Sequence, residues 1–215
     1  MRRLSILAFG LVAAAAAVAD TFVREDIITT PTPQTYSLCY DHQCATLVTL
    51  RLSAPQWSAV RGLFKPTPRS AEEERRRIAR AVALLETMSG RMTGTGNDKE
   101  GDLKGLGEFG QMDCIDESIN TTTYLRMLEG AGLLRFHTVE DRATRGWFIR
   151  GWPHTTAVIR DSTTQTLYAV DSWFEDNGRP PHIVPLEIWK EGWEPALSGK
   201  PDAPASPRPR PRRSR

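Results

Sequence analysis

Cysteine is scarce in this chain, with three in 215 residues, and histidine nearly as scarce, with four. An odd cysteine count leaves at least one thiol outside any internal pairing. No Gly-x-Ser-x-Gly elbow is present, so the serine-nucleophile turn of that type is excluded. No phosphate-binding loop of the Walker or dinucleotide kind occurs: Thr93-Gly94-Thr95-Gly96 lacks the Lys-Ser/Thr that must follow it. Beyond the stretch Leu4–Val18, no apolar run is long enough to cross a bilayer. Asn97, Asp98, Glu100 and Asp102 do not follow the spacing of a calcium loop. No internal repeat is visible, and nothing points to sequence-specific recognition of nucleic acid.

The ends of the chain differ from its middle. Arg2-Arg3, an apolar run and Ala17-Val18-Ala19 before Asp20 read as a secretory leader over 1–19, with a membrane anchor as the rival. The expected location is therefore secreted or periplasmic. Residues 197–215 form a Pro/Arg-rich tail with nothing to anchor it, expected to be disordered, and its arginines suit attraction to an anionic envelope surface. Between them, 20–196 is long enough for a single domain with its own core. The formal charge of +2 hides a contrast. Residues 201–215 carry five arginines against Asp202 and the leader carries Arg2 and Arg3, so residues 4–200 are net −4.

Periodicity predicts a strand or hairpin over 35–52, a short helix over 55–64 and a stronger helix over 70–89. The last has Ser70 and Glu73 as a capping box, and Ile78, Val82, Leu85 and Met88 along one face. A long polar loop over 90–110 precedes Cys114. From 114 to 131 a further helix is expected, with Asp113 as N-cap, Asp116 three residues on, and Gly130 and Gly132 as the stop. Residues 154–160 and 165–171 read as paired strands around the turn Asp161-Ser-Thr-Thr164. Folding symmetrically about that turn sets Arg160 opposite Gln165 and His154 directly across from Asp171, on one face.

Cys114, His154 and Asp171 are the parts of nucleophilic acyl chemistry. A thiolate attacks, an imidazole takes its proton, and a carboxylate orients the imidazole. In the first helical turn, Cys114 would meet free backbone N–H groups and the positive end of the helix dipole, which favour thiolate. Its acidic neighbours Asp113 and Asp116 oppose it. Gln111 and the Cys114 backbone N–H are candidate oxyanion donors, and Trp173 a candidate wall over the His–Asp pair. Cys39 and Cys44 flank a natural turn, Tyr40-Asp-His-Gln43, which a disulfide would close, leaving Cys114 free. A metal site on Cys39, His42 and Cys44, or a disulfide between Cys114 and either neighbour, are the alternatives. Asn120-Thr-Thr matches a glycosylation sequon but lies inside the expected helix.

Over roughly 105–190 the chain resembles the transglutaminase-like branch of the papain-type cysteine enzymes. The resembling residues are Cys114 at a helix start, Tyr124-Leu-Arg-Met-Leu-Glu-Gly-Ala-Gly-Leu133, a strand opened by His154, a strand closed by Val170-Asp171, and the following Ser172-Trp173. Thr155 and Ser172 stand where members of that family often carry an aromatic and a proline. The resemblance implies an α+β fold with the nucleophile helix packed on an antiparallel sheet, and a Cys-His-Asp triad with no cofactor. The expected function is an exported cysteine-dependent amide hydrolase or acyl transferase acting on a peptide or protein amide. The alternative is a catalytically silent module of the same fold that binds peptides or envelope proteins.

Overall fold

The computed structural model describes residues 24–101, 108–146 and 153–196. The expected leader over 1–19 and tail over 197–215 lie outside the described residues. The architecture is α+β. A two-stranded antiparallel hairpin, β1 (Tyr36–Tyr40) and β2 (Thr46–Leu50), is followed by α1 (Ala54–Gly62), α2 (Ala71–Thr93) and α3 (Cys114–Gly130). A four-stranded antiparallel meander then runs β3 (His137–Arg145), β4 (His154–Asp161), β5 (Leu167–Asp171) and β6 (His182–Pro185), closed by the short α4 (Leu186–Lys190). No helix among the described residues is long and apolar enough to cross a membrane.

Helix ends follow their capping chemistry. Asp113 accepts from the Ile115 and Asp116 amides at 3.0 Å each, and Asp116 returns the bond to the Asp113 N–H at 3.2 Å. This reciprocal box fixes the first turn of α3, where Cys114 sits. Ser70 caps α2 through the Glu73 N–H, but Glu73 reaches back to the Arg69 amide rather than to Ser70.

α3 is nearly encircled. It packs between the β1–β2 hairpin and the sheet, with α2 alongside. Ile78, Val82 and Leu85 of α2, Tyr124, Leu125 and Leu128 of α3, Tyr36 and Leu38 of β1, and Ala157, Ile159 and Val170 of the sheet make the main core. The other sheet face, through Val158 and Ala169, packs on Leu186 and Trp189 of α4. Because side chains alternate along a strand, His154 and Asp171 share this second face. Asn120, the sequon residue, is buried and bonds the Cys39 backbone through both amide atoms at 2.8 Å, which ties β1 to α3.

Two sequence expectations need correction. The β4–β5 register pairs Ala157 with Val170 and Arg160 with Leu167, two residues away from the symmetric fold. The cause is a four-residue turn displaced by one position, 162–165 in place of 161–164. Asp161 belongs to β4 and its N–H donates to Thr166 O, its carboxylate accepts the Thr163 and Thr164 amides, and Gln165 adopts φ 61° to close a four-residue loop. A slip of two keeps the faces, so His154 and Asp171 become diagonal neighbours instead of direct ones. Secondly, β3, β6 and α4 are elements that the sequence reading did not single out.

The β1–β2 turn is backbone in an uncommon state. Asp41, His42, Gln43 and Cys44 all have positive φ, between 53° and 66°. None is glycine, so surrounding bonds must hold the turn. The Cys39–Cys44 disulfide closes it, with the two Cα atoms 4.6 Å apart. It uses both sulfurs, which removes the thiolates of the metal reading and leaves Cys114 free.

Candidate active site

Three elements bring the expected residues to one end of the sheet. Cys114 opens α3, His154 opens β4, and Asp171 closes β5. His154 Nε2 lies 2.7 Å from Asp171 Oδ2, with His154 6 % and Asp171 2 % exposed. The diagonal register supplies this contact, since diagonal Cβ atoms about 7–8 Å apart are within reach of a ring. The same Oδ2 accepts the Trp189 indole N–H at 2.7 Å. A carboxylate oxygen taking this bond assigns the proton to His154 Nε2 and leaves Nδ1 as the basic nitrogen. Nδ1 is buried with no hydrogen-bond partner among the described residues.

The imidazole lies within an aromatic box. Trp173, Phe174 and Trp189 have ring centroids 4.8, 5.2 and 5.4 Å from it. Low dielectric around the His–Asp bond strengthens it. Arg145, cross-strand partner of His154, stacks 4.5 Å over Trp189 and donates to the Trp189 and Trp193 carbonyls, so it clamps α4 onto the pair. The Trp173 indole N–H is likewise buried without a partner among the described residues.

The thiol arrives from the α3 side of β4 and meets its backbone. Cys114 Sγ accepts the Thr155 N–H, one residue along from His154. Burial pushes the thiol up to about 12; the Thr155 amide is the largest effect opposing it, and the carboxylates of Asp113 and Asp171 add to the rise more weakly, with the Cys114 amide the smallest effect, opposing it. This corrects the expectation that the helix start favours thiolate. Desolvation outweighs the helix end, and the resting sulfur carries its proton.

The first turn of the nucleophile helix and the neighbouring Asp98 hold a set of buried carboxyls with raised pKa values. Burial, then the charge of Glu117, lifts Asp98 to about 9. Glu117 rises to about 7 through burial, and Asp116 to about 8 through burial and then Asp113. The Asp98 carboxyl hydrogen-bonds Glu117, so Asp98 keeps the proton. Asp98 also accepts the Met112 N–H at 2.6 Å, and Glu117 accepts the Ser172 hydroxyl at 2.7 Å. Ser172 is also 2.9 Å from Thr121 Oγ1. These bonds fasten the residue after Asp171 to the helix that carries the thiol. On the other side, the left-handed turn gives its Gln43 and Cys44 amides to Asp113 at 3.0 Å and Asp116 at 2.7 Å.

Gln111, the expected oxyanion donor, faces the 97–99 segment in the structure. It is buried, and its amide is spent on Asn97 O at 3.2 Å and the Lys99 N–H at 3.3 Å. Sequence reasoning missed Trp189 and Glu117. No spacing marks Trp189 as a partner of Asp171, whereas Glu117, three residues after Cys114 on a helix, lies one turn from the thiol and was open to notice. No group of three or more metal-ligating side chains occurs among the described residues. Comparison with protein-family models, with curated proteins and with solved structures returns no match.

Proposed function

We propose that the protein is an exported cysteine-dependent acyl-transfer enzyme of transglutaminase-like architecture, cleaving or exchanging a peptide or protein amide. The observation that carries this reading is the buried His154–Asp171 pair, with Nδ1 unpartnered among the described residues, at the end of β4 where α3 brings a free thiol to the Thr155 amide. The reaction requires Cys114 Sγ to leave the Thr155 amide and reach Nδ1. Because the thiol rests neutral, its proton passes to Nδ1 as sulfur attacks the carbonyl, so His154 acts as a general base and no thiolate is stored beforehand. Developing charge on the carbonyl oxygen is met by the Cys114 backbone N–H and, in place of Gln111, by the Trp173 indole N–H. His154 then returns the proton to the leaving amine, and a thioester remains on Cys114. Water resolves it in hydrolysis, an amine in transfer. The disulfide supports a secreted or periplasmic location.

A non-catalytic peptide-binding module of the same fold is the second reading, favoured by the half-buried, protonated thiol. Acylation separates the two. The folded protein is mixed with p-nitrophenyl esters of N-acetylated amino acids, quenched in acid and weighed intact. The enzyme reading expects one acyl group on Cys114, none in Cys114→Ala, and faster turnover on adding a primary amine if transfer is the reaction. An unmodified Cys114 with every ester would leave the module.

A further inference from the structure

Away from the candidate site the surface carries a strongly cationic cleft. It opens between residues 62–69 and the first turns of α2, has a volume of about 630 Å³, and sets Lys65, Arg69, Arg76, Arg77 and Arg80 against a single carboxylate, Glu73. Residues 73, 76, 77 and 80 share one helix face, because three- and four-residue steps return to the same side. The core has no use for this face; α2 buries Ile78, Val82 and Leu85 instead.

Glu73 organises the cleft more than it neutralises it. One oxygen takes Arg77 Nη2 at 2.5 Å and the other the Arg69 N–H at 3.0 Å, while Arg77 Nη1 donates to Leu63 O at 2.8 Å. Arg77 is thereby fixed in the wall with its side chain only 15 % exposed. Arg76 pairs with Glu72. Lys65, Arg69 and Arg80 are exposed and form no ion pair among the described residues. Several like charges held this close repel one another and draw in an anion. Four of the five cations are arginines, whose planar forks match phosphoryl oxygens two at a time. A terminal phosphate brings nearly two negative charges where a carboxylate brings one, and an oligophosphate or a row of phospholipid headgroups presents several charges side by side, as such a cleft requires.

We propose that this cleft binds a ligand carrying two or more phosphoryl groups, either a soluble oligophosphate or the headgroups of an anionic phospholipid surface. The site is remote from Cys114. Glu74, in the first turn of α2, accepts the Arg135 and Phe136 amides just beyond the C-terminal end of α3, and that helix spans about 25 Å from its cysteine. An occupant would hold the protein by this end and leave the thiol end clear.

The full chain is titrated calorimetrically with tripolyphosphate at two salt concentrations and, separately, sedimented with phosphatidylglycerol or phosphatidylcholine vesicles. Arg69→Gln/Arg80→Gln removes two exposed charges that hold nothing in place; Lys65→Gln/Arg80→Gln is the substitute if that pair lowers folding. The expected result is salt-sensitive binding to tripolyphosphate, to phosphatidylglycerol or to both, weakened at least tenfold in the variant. Tripolyphosphate alone identifies a soluble ligand, and vesicles alone a headgroup. Binding to neither overturns the proposal. So does equal binding by wild type and variant, which assigns anion affinity elsewhere, the arginines of 201–215 included.

Discussion

Alkylation of Cys114 by iodoacetamide should be slow at neutral pH and should quicken steadily as alkali is added. The magnitude follows from the surroundings of the sulfur. Burial, then Asp113 and Asp171, moves the thiol from 9.0 to about 12. At pH 7 its thiolate is then roughly a thousandfold rarer than that of an ordinary thiol. A more basic thiolate is also a better nucleophile; with a Brønsted coefficient of about 0.4–0.5 this returns roughly 15–30-fold. The folded protein should therefore react roughly 30–60-fold more slowly than its urea-unfolded chain, before any steric cost of burial. The assay is a time course by intact mass from pH 6 to 9.5, with the rate expected to climb about tenfold per pH unit. A rate that levels off below pH 7, or one equal to that of the unfolded chain, would refute the reasoning, since the first requires a thiolate already formed in the resting protein and the second a thiol as acidic as a solvated one.

Four further outcomes are expected. Asp171→Asn should cut acyl-enzyme formation by about a hundredfold or more, because the wrong imidazole tautomer is then held toward the sulfur, while thermal unfolding moves little. Trp189→Phe removes one of two N–H donors to Asp171 Oδ2; the cost is about 1–3 kcal/mol, read as a slower acylation rate. Asp98, Asp116 and Glu117 have folded pKa values above their unfolded ones, at about 9, 8 and 7. The native state therefore holds more protons, this stability is full below the unfolded carboxylate values, and Tm should fall as pH rises from 5 through 9. A Tm that climbs over that interval contradicts the protonated cluster. Replacing both disulfide cysteines by serine should remove about 2 kcal/mol of stability by chain entropy alone, for a sequence separation of five. It should also slow acylation of Cys114 as the left-handed turn lets go of Asp113 and Asp116, which a denaturant titration and the acyl assay together would show.

Much of this arrangement was readable from local chemistry. Asp113 and Asp116 announce the start of α3, and the apolar stripe Ile78, Val82, Leu85 announces α2, because caps and helical periodicity are short-range signals. The pairing of Cys39 with Cys44 follows from the turn between them. What failed was set at longer range or by turn detail. The β4–β5 register depends on Gln165 adopting a left-handed conformation that its residue type does not advertise, and His154 meets Asp171 only because the error was an even number of residues. β3 is broken by an irregularity between Glu140 and Ala143, which blurs its alternation. The thiol's protonation could not be read from its place on the helix, since burial decides it, and burial comes from the hairpin and sheet closing around α3. Gln111 lies three residues before Cys114 in sequence, and its side chain bonds the 97–99 segment.

The central claim is that His154, steadied by Asp171, takes the proton from Cys114. The most direct measurement is the rate of acyl-thioester formation on Cys114 in wild type and in His154→Ala, each confirmed folded, by quenched-flow mass spectrometry with the same activated ester. The account predicts a loss of at least a hundredfold in the variant, partly restored by added imidazole. Equal rates in the two proteins would contradict it.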